Sequence, residues 1–146
     1  MTDLEYFSER LNELIFEQEE SVLSLSKKLE TGKSTLYNYL KGATYPTLAI
    51  AVKIADFFAC PLDFLFGLCH EFTPKKWEQT ATANERVKRA IDESKQSRYS
   101  LSKRMNIPQP KLSLWYQGKV EPNTEHLILL AKTLGVSLDF LAGKKE

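Results

Sequence analysis

Few residues of this chain could make or break a covalent bond, and those few are scattered. The sequence has two cysteines, Cys60 and Cys69, and two histidines, His70 and His126. Cys69 and His70 are adjacent, Cys60 is distant, and no carboxylate pattern falls at ligand spacing, so a zinc site is not expected. Neither a Gly-rich phosphate loop nor a nucleophile motif occurs, which argues against an enzyme. No cofactor, metal or small-molecule ligand is expected. Both cysteines sit in a strongly apolar stretch and read as buried thiols of a reducing cytosol. What the chain offers instead is charge able to meet an anion. The formal net charge is only +1, but residues 1–70 hold 6 Lys and Arg against 10 Asp and Glu, while residues 71–146 hold 14 against 9. The second half is therefore the better candidate for a phosphate surface. Lys27, Lys28, Lys103 and Arg104 read either as solvated helix faces or as neighbours of phosphate.

The elements that must position these charges come in duplicate. Leu25-Ser26-Lys27-Lys28-Leu29 resembles Leu101-Ser102-Lys103-Arg104-Met105, and Leu62-Asp63-Phe64-Leu65 returns as Leu138-Asp139-Phe140-Leu141. Gly42, Pro46 and Gly67 return as Gly118, Pro122 and Gly143, and the offset is 76 residues in every pair. An ungapped match of this length makes the chain a tandem duplication. At 146 residues, 42% hydrophobic and 27% charged, it has room for two very small soluble domains. We expect domains at residues 1–68 and 83–146, with 69–82 as a linker rich in Thr and containing Pro74. A linker of that size reaches ~50 Å when extended. The longest apolar stretch, Phe57 to Cys69, is interrupted by Pro61 and Asp63 and is shorter than a membrane span requires. The start, Met1-Thr2-Asp3-Leu4-Glu5, lacks the basic opening and apolar run of a signal peptide, so a cytoplasmic protein is expected.

Each copy reads as five short helices. Thr2 with Glu5, and Thr82 with Glu85, are capping-box candidates; Ser21 and Ser97 are N-caps for the second helix. The third helix carries Leu36 and Tyr39, or Leu112 and Trp115, and stops at Gly42 or Gly118. Thr47 and Asn123 cap the fourth, and Pro61 or Ser137 begins the fifth, which ends at Gly67 or Gly143. No segment sustains a two-residue alternation, so the fold is expected to be all-α. Where the second and third helices approach, a small residue is needed, and Ser26 and Ser102 supply it. The turn between them needs a residue tolerant of unusual dihedrals. Asn106 suits this; Glu30 does not, and Gly32 is expected to help.

In these features the chain resembles the Cro and lambda-repressor-like helix-turn-helix family. The second copy carries the resemblance best, in Tyr99-Ser100-Leu101-Ser102-Lys103-Arg104-Met105-Asn106-Ile107, in Leu112-Ser113-Leu114-Trp115-Tyr116-Gln117-Gly118-Lys119, in Glu121-Pro122-Asn123, and in Leu130-Ala131-Lys132-Thr133-Leu134-Gly135-Val136-Ser137-Leu138-Asp139-Phe140-Leu141. The resemblance implies two tandem five-helix domains that bind double-stranded DNA, and hence a transcriptional regulator, repressor-like, of bacterial, phage or mobile-element origin. It places base readers on the third helix: Lys33, Ser34, Thr35 and Asn38 in the first copy, and Gln109, Lys111, Ser113 and Leu114 in the second. Asn38 and Gln109 could each bond adenine bidentately, and Lys33 suits the acceptors of guanine. Phosphate contacts are implied for Ser21, Lys41 and Thr44, and for Ser97, Arg98 and Lys119. The chain departs from the family where Val22 and Arg98 stand for the usual Gln, where Pro108 and Pro110 crowd a reading helix, and where Leu114 replaces a polar reader.

The copies also differ in bulk. Phe57, Phe66 and Leu68 align with Thr133, Ala142 and Lys144. The larger apolar set is expected to need a cover, from the other copy or from a second chain, which makes Phe57, Phe66 and Leu68 interface candidates and allows a homodimer through the first domain. A competing expectation is an interaction module of antitoxin-like or anti-repressor type, with weak or no DNA binding.

Overall fold

Hydroxyl and amide side chains mark where the helices begin. In the computed structural model, which describes residues 1–145, the side chains of Thr2, Ser21 and Thr47 each accept the backbone N–H three residues on, and so do those of Thr82, Ser97, Asn123 and Ser137. Each satisfies an orphaned donor of a first turn, worth ~1 kcal/mol. At Thr82 and Glu85 the bonds run both ways, a complete capping box. The helices they open, with three that start at Gly32, Pro61 and Pro108, are α1 (Asp3–Glu17), α2 (Val22–Leu29), α3 (Lys33–Leu40), α4 (Leu48–Phe58) and α5 (Leu62–Leu65), then α6 (Ala83–Ser94), α7 (Arg98–Met105), α8 (Gln109–Tyr116), α9 (Thr124–Leu134) and α10 (Leu138–Leu141). Among the described residues the only β pairing is one isolated bridge, Gln79 with Lys144. The fold is all-α, with two units of five helices, Met1–Trp77 and Glu78–Glu146. Among those same residues no helix is long and apolar enough to cross a membrane.

The duplication is visible in the cores. Leu11, Leu25, Leu36, Leu62 and Leu65 are fully buried in the first unit, as are Val87, Leu101, Leu112, Leu138 and Leu141 in the second. Burying each such side chain contributes about 1.5–3 kcal/mol. In the first unit α1 packs on α3 and α5, and α2 on α3 and α4; in the second, α6 packs on α8, α9 and α10, and α7 on α8 and α9. Aromatic residues break the symmetry in a correlated way. Phe7 stacks on Phe66 with centroids 5.1 Å apart and meets Tyr39 edge-on at 5.7 Å. The matching positions are Ala83, Ala142 and Trp115, so two phenyl rings are lost where a phenol becomes an indole. This corrects the expectation for Phe66. It is 1% exposed and covered by Phe7 of its own unit, so its bulk calls for no partner. Phe57 stays 36% exposed, edge-on to Phe58 and 5.3 Å beneath the Lys28 ammonium; Leu68 is half-buried.

Two arginines on the inner faces of α1 and α6 close the units. Arg10 Nη1 donates to Phe64 O and, at 2.7 Å, to Cys69 O, while Nη2 meets His70 Nδ1 at 2.8 Å. At the same register Arg86 Nη1 donates to Phe140 O at 2.8 Å and Nη2 to Thr80 Oγ1 at 3.0 Å. Both guanidinium groups are almost fully buried, with carbonyl, hydroxyl and imidazole partners in place of water.

The segment expected as a linker is tied down at both ends. Arg10 holds Cys69 and His70, Phe72 packs on Phe64 with centroids 4.5 Å apart, and Lys75 N–H bonds Ala59 O at 3.0 Å. Further on, Thr80 and Ala81 N–H groups both bond Gly143 O, at 2.8 and 3.1 Å, and Gln79 Nε2 donates to Ala142 O at 2.6 Å. A Cβ on Gly143 would lie 1.9 Å from Ala81 O, so only glycine admits this approach. The chain therefore divides between Trp77 and Glu78.

Candidate nucleic-acid interface

A reading helix must be held by its inner face and left bare on its outer one. In the first unit α2 and α3 are joined through Glu30, Thr31 and Gly32. Ser26 is buried at the approach, its Oγ donating to Leu23 O at 2.8 Å, and Thr31 N–H bonds Ser26 O at 3.0 Å. In the second unit Ser102 Oγ donates to Ile107 O, and Ile107 N–H returns the bond to Ser102 O at 3.2 Å. The turns have one geometry. Glu30 lies at φ 55°, ψ 42° and Asn106 at φ 55°, ψ 43°, both left-handed. This corrects the expected role of Gly32, which has φ −69° and merely precedes α3; Glu30 takes the strained position itself.

Above these turns α3 is anchored by Leu36 and Tyr39, and α8 by Leu112 and Trp115, none more than 3% exposed. Burial raises the Tyr39 phenol pKa above its ordinary value. On the outer face of α3, Lys33, Ser34 and Asn38 are exposed and Thr35 is partly so, with Tyr37 beside them at 43%. On α8, Gln109 and Lys111 are exposed, Leu114 is 39% exposed and Ser113 is partly covered. The prolines do not break α8. Pro108 precedes it and Pro110 lies in its first turn, where a missing N–H deprives no helical carbonyl, and Lys111 N–H bonds Pro108 O at 3.0 Å. All eight residues expected as base readers thus lie on the two helices with anchored inner faces.

A helix-turn-helix family model, HTH_3, matches residues 21–65 and again residues 87–141. The chain belongs to that family. It carries two tandem copies of the XRE-type domain, a fold of DNA-binding regulators. Comparison with the curated proteins and with the solved structures gave no match.

The two helix-turn-helix copies hold their expected phosphate residues differently. Ser21 and Ser97 are exposed N-caps, each accepting a backbone N–H at 3.0 Å. Beside Ser97, the Arg98 guanidinium lies 4.5 Å from the centre of the Tyr116 ring. Tyr116 in turn donates its hydroxyl to Asp92 at 2.7 Å, and Lys88 reaches the same carboxylate at 3.9 Å. Ser97, Arg98, Gln109 and Tyr116 line one cleft of about 410 Å³, with Asp92 and Lys95 on its wall. The second copy therefore brings a phosphate candidate pair and a base-reading candidate together. Lys119, beyond α8, is exposed but does not line that cleft. In the first copy Lys41 and Thr44 are exposed after α3. Lys88, Lys95 and Asp92 were not singled out from the sequence. The signal was there, because their register partners are Asn12, Glu19 and Phe16. His126 lies against Trp115 with centroids 5.2 Å apart. Burial first and the Lys111 ammonium second lower its pKa, against the opposing pull of Glu125.

Proposed function

We propose that this protein is a sequence-specific double-stranded-DNA-binding transcriptional regulator that acts as a repressor, in the cytoplasm of a bacterium or encoded by a phage or mobile element. One observation carries the reading: α3 and α8 are each buried on one face and exposed on the other, where they display side chains able to bond base edges. Lys33, Ser34, Thr35 and Asn38 read bases from α3. Gln109, Lys111 and Ser113 do so from α8, and Leu114 meets a thymine methyl. Ser97, Arg98 and Lys119 hold phosphates with the second copy, and Ser21, Lys41 and Thr44 with the first. The two reading helices differ at every matched reader position, Lys33 against Gln109 and Asn38 against Leu114 among them. They therefore select unlike half-sites.

Selection of bound duplexes from a random pool tests this. The expected outcome is a two-part motif without dyad symmetry. A palindrome would instead mean a homodimer that uses one copy per half-site, joined through Phe57 and Leu68. No enrichment at all would remove the regulator reading.

A further inference from the structure

The two helix-turn-helix copies carry opposite chemistry at one place. Around the start of α7 the second copy has Lys88, Arg89, Lys95 and Arg98; at the same register around α2 the first has Asn12, Glu13, Glu19 and Val22. Asp92 and Tyr99 are replaced by Phe16 and Leu23. Phe16 is 84% exposed and Leu23 51% exposed, next to a half-buried Val22. Phe16 and Ile15 line a shallow cleft of about 540 Å³ with Asn12, Glu13 and Glu20. Glu20 spends one oxygen on Lys28, at 2.7 Å. Its other oxygen, Oε2, is shielded from solvent and has no hydrogen-bond partner among the described residues.

We propose that this face docks a segment of another protein presenting an apolar side chain flanked by Lys or Arg. Exposed Phe16 and Leu23 supply the apolar anchors, since large aromatic and aliphatic side chains gain most when a partner removes them from water. Charge selects the occupant. Glu13, Glu17 and Glu19 are exposed on the same turns, so the face is acidic. A second copy of the same face would set these carboxylates against one another. A cationic partner is attracted instead.

The test uses the full-length protein and a fluorescein-labelled amphipathic helical peptide of Leu and Lys, with a Leu and Glu peptide as control. Anisotropy should rise with the Leu–Lys peptide, weaken as salt is added, and stay flat with the control. At constant charge, Phe16→Ser with Leu23→Ser should weaken binding about thirtyfold. Glu13→Arg with Glu19→Lys, which installs residues that the second copy already has, should weaken it about tenfold at low salt. Both pairs are changed at the surface, so unaltered thermal unfolding is expected and is checked. The proposal is overturned if the Leu–Lys peptide does not bind, if the serine pair binds it as well as the parent does, or if both peptides bind alike. It is also overturned if light scattering shows a dimer that the serine pair abolishes, because the occupant is then a second copy. Loss of DNA binding with peptide binding intact would count against the regulator reading alone.

Discussion

Arg10 and Arg86 show how far single residues can be read. Their identity at the 76-residue offset is visible in the sequence, but a charged residue on a helix usually means a solvated face, and nothing local announces that its partners lie 54 residues away. Removing Arg10 leaves Phe64 and Cys69 carbonyls without their charged donor. Arg10→Ala should therefore destabilise the first unit by about 2–3 kcal/mol, and Arg10→Lys should restore only part of this, since an ammonium cannot serve the same fork of acceptors. Denaturant midpoints compared with those of Arg86→Ala check both statements. His126 gives a prediction in pH. Its folded-state pKa lies below the ordinary 6.5, so the unfolded chain takes up a proton that the folded chain resists. The stability tied to this site is complete above that ordinary value and is lost as pH falls below it and through the lowered folded-state value. His126→Gln should flatten the acid side of the stability profile of the second unit; an unchanged slope would remove His126 as its source.

At the scale of elements most of the fold was legible. Every expected hydroxyl or amide cap holds a backbone N–H, because capping depends on residues three apart and so is written locally. What was not legible depended on distant pairs. Comparing Phe66 with Ala142 alone suggested an uncovered ring; only packing reveals that Phe7, matched by Ala83, covers it. Backbone strain was misassigned for a related reason, since Glu30 adopts the left-handed turn that composition awarded to Gly32. Ala59 is similar, at φ 52° where the second copy has Gly135 at φ 68°. A side chain there costs about 1–2 kcal/mol, part of which is returned by the freer unfolded chain that glycine brings. Ala59→Gly and Glu30→Asn should each stabilise the first unit by about 0.5–1 kcal/mol, read as a higher denaturant midpoint at unchanged slope. Destabilisation by either would mean that the left-handed residues are held by contacts rather than tolerated.

At the scale of the molecule the duplication, the family and the division of charge were all in the sequence, while the arrangement of the interface was not. Register pairs such as Arg98 and Val22 were legible; the seating of Arg98 on Tyr116, beside Ser97 and Gln109, needed the fold. That arrangement separates two kinds of variant. Lys33→Ala with Asn38→Ala should lower preference for the selected site over random duplex by about tenfold or more, with little change on random DNA. Arg98→Ala with Lys119→Ala should weaken binding to every sequence. The most direct test of the whole account is the salt dependence of that second pair. Affinity for duplex DNA should fall steeply and linearly as log affinity against log salt, and losing two phosphate contacts should flatten the slope by about two units. An affinity indifferent to salt, or a slope left unchanged by Arg98→Ala with Lys119→Ala, would contradict it.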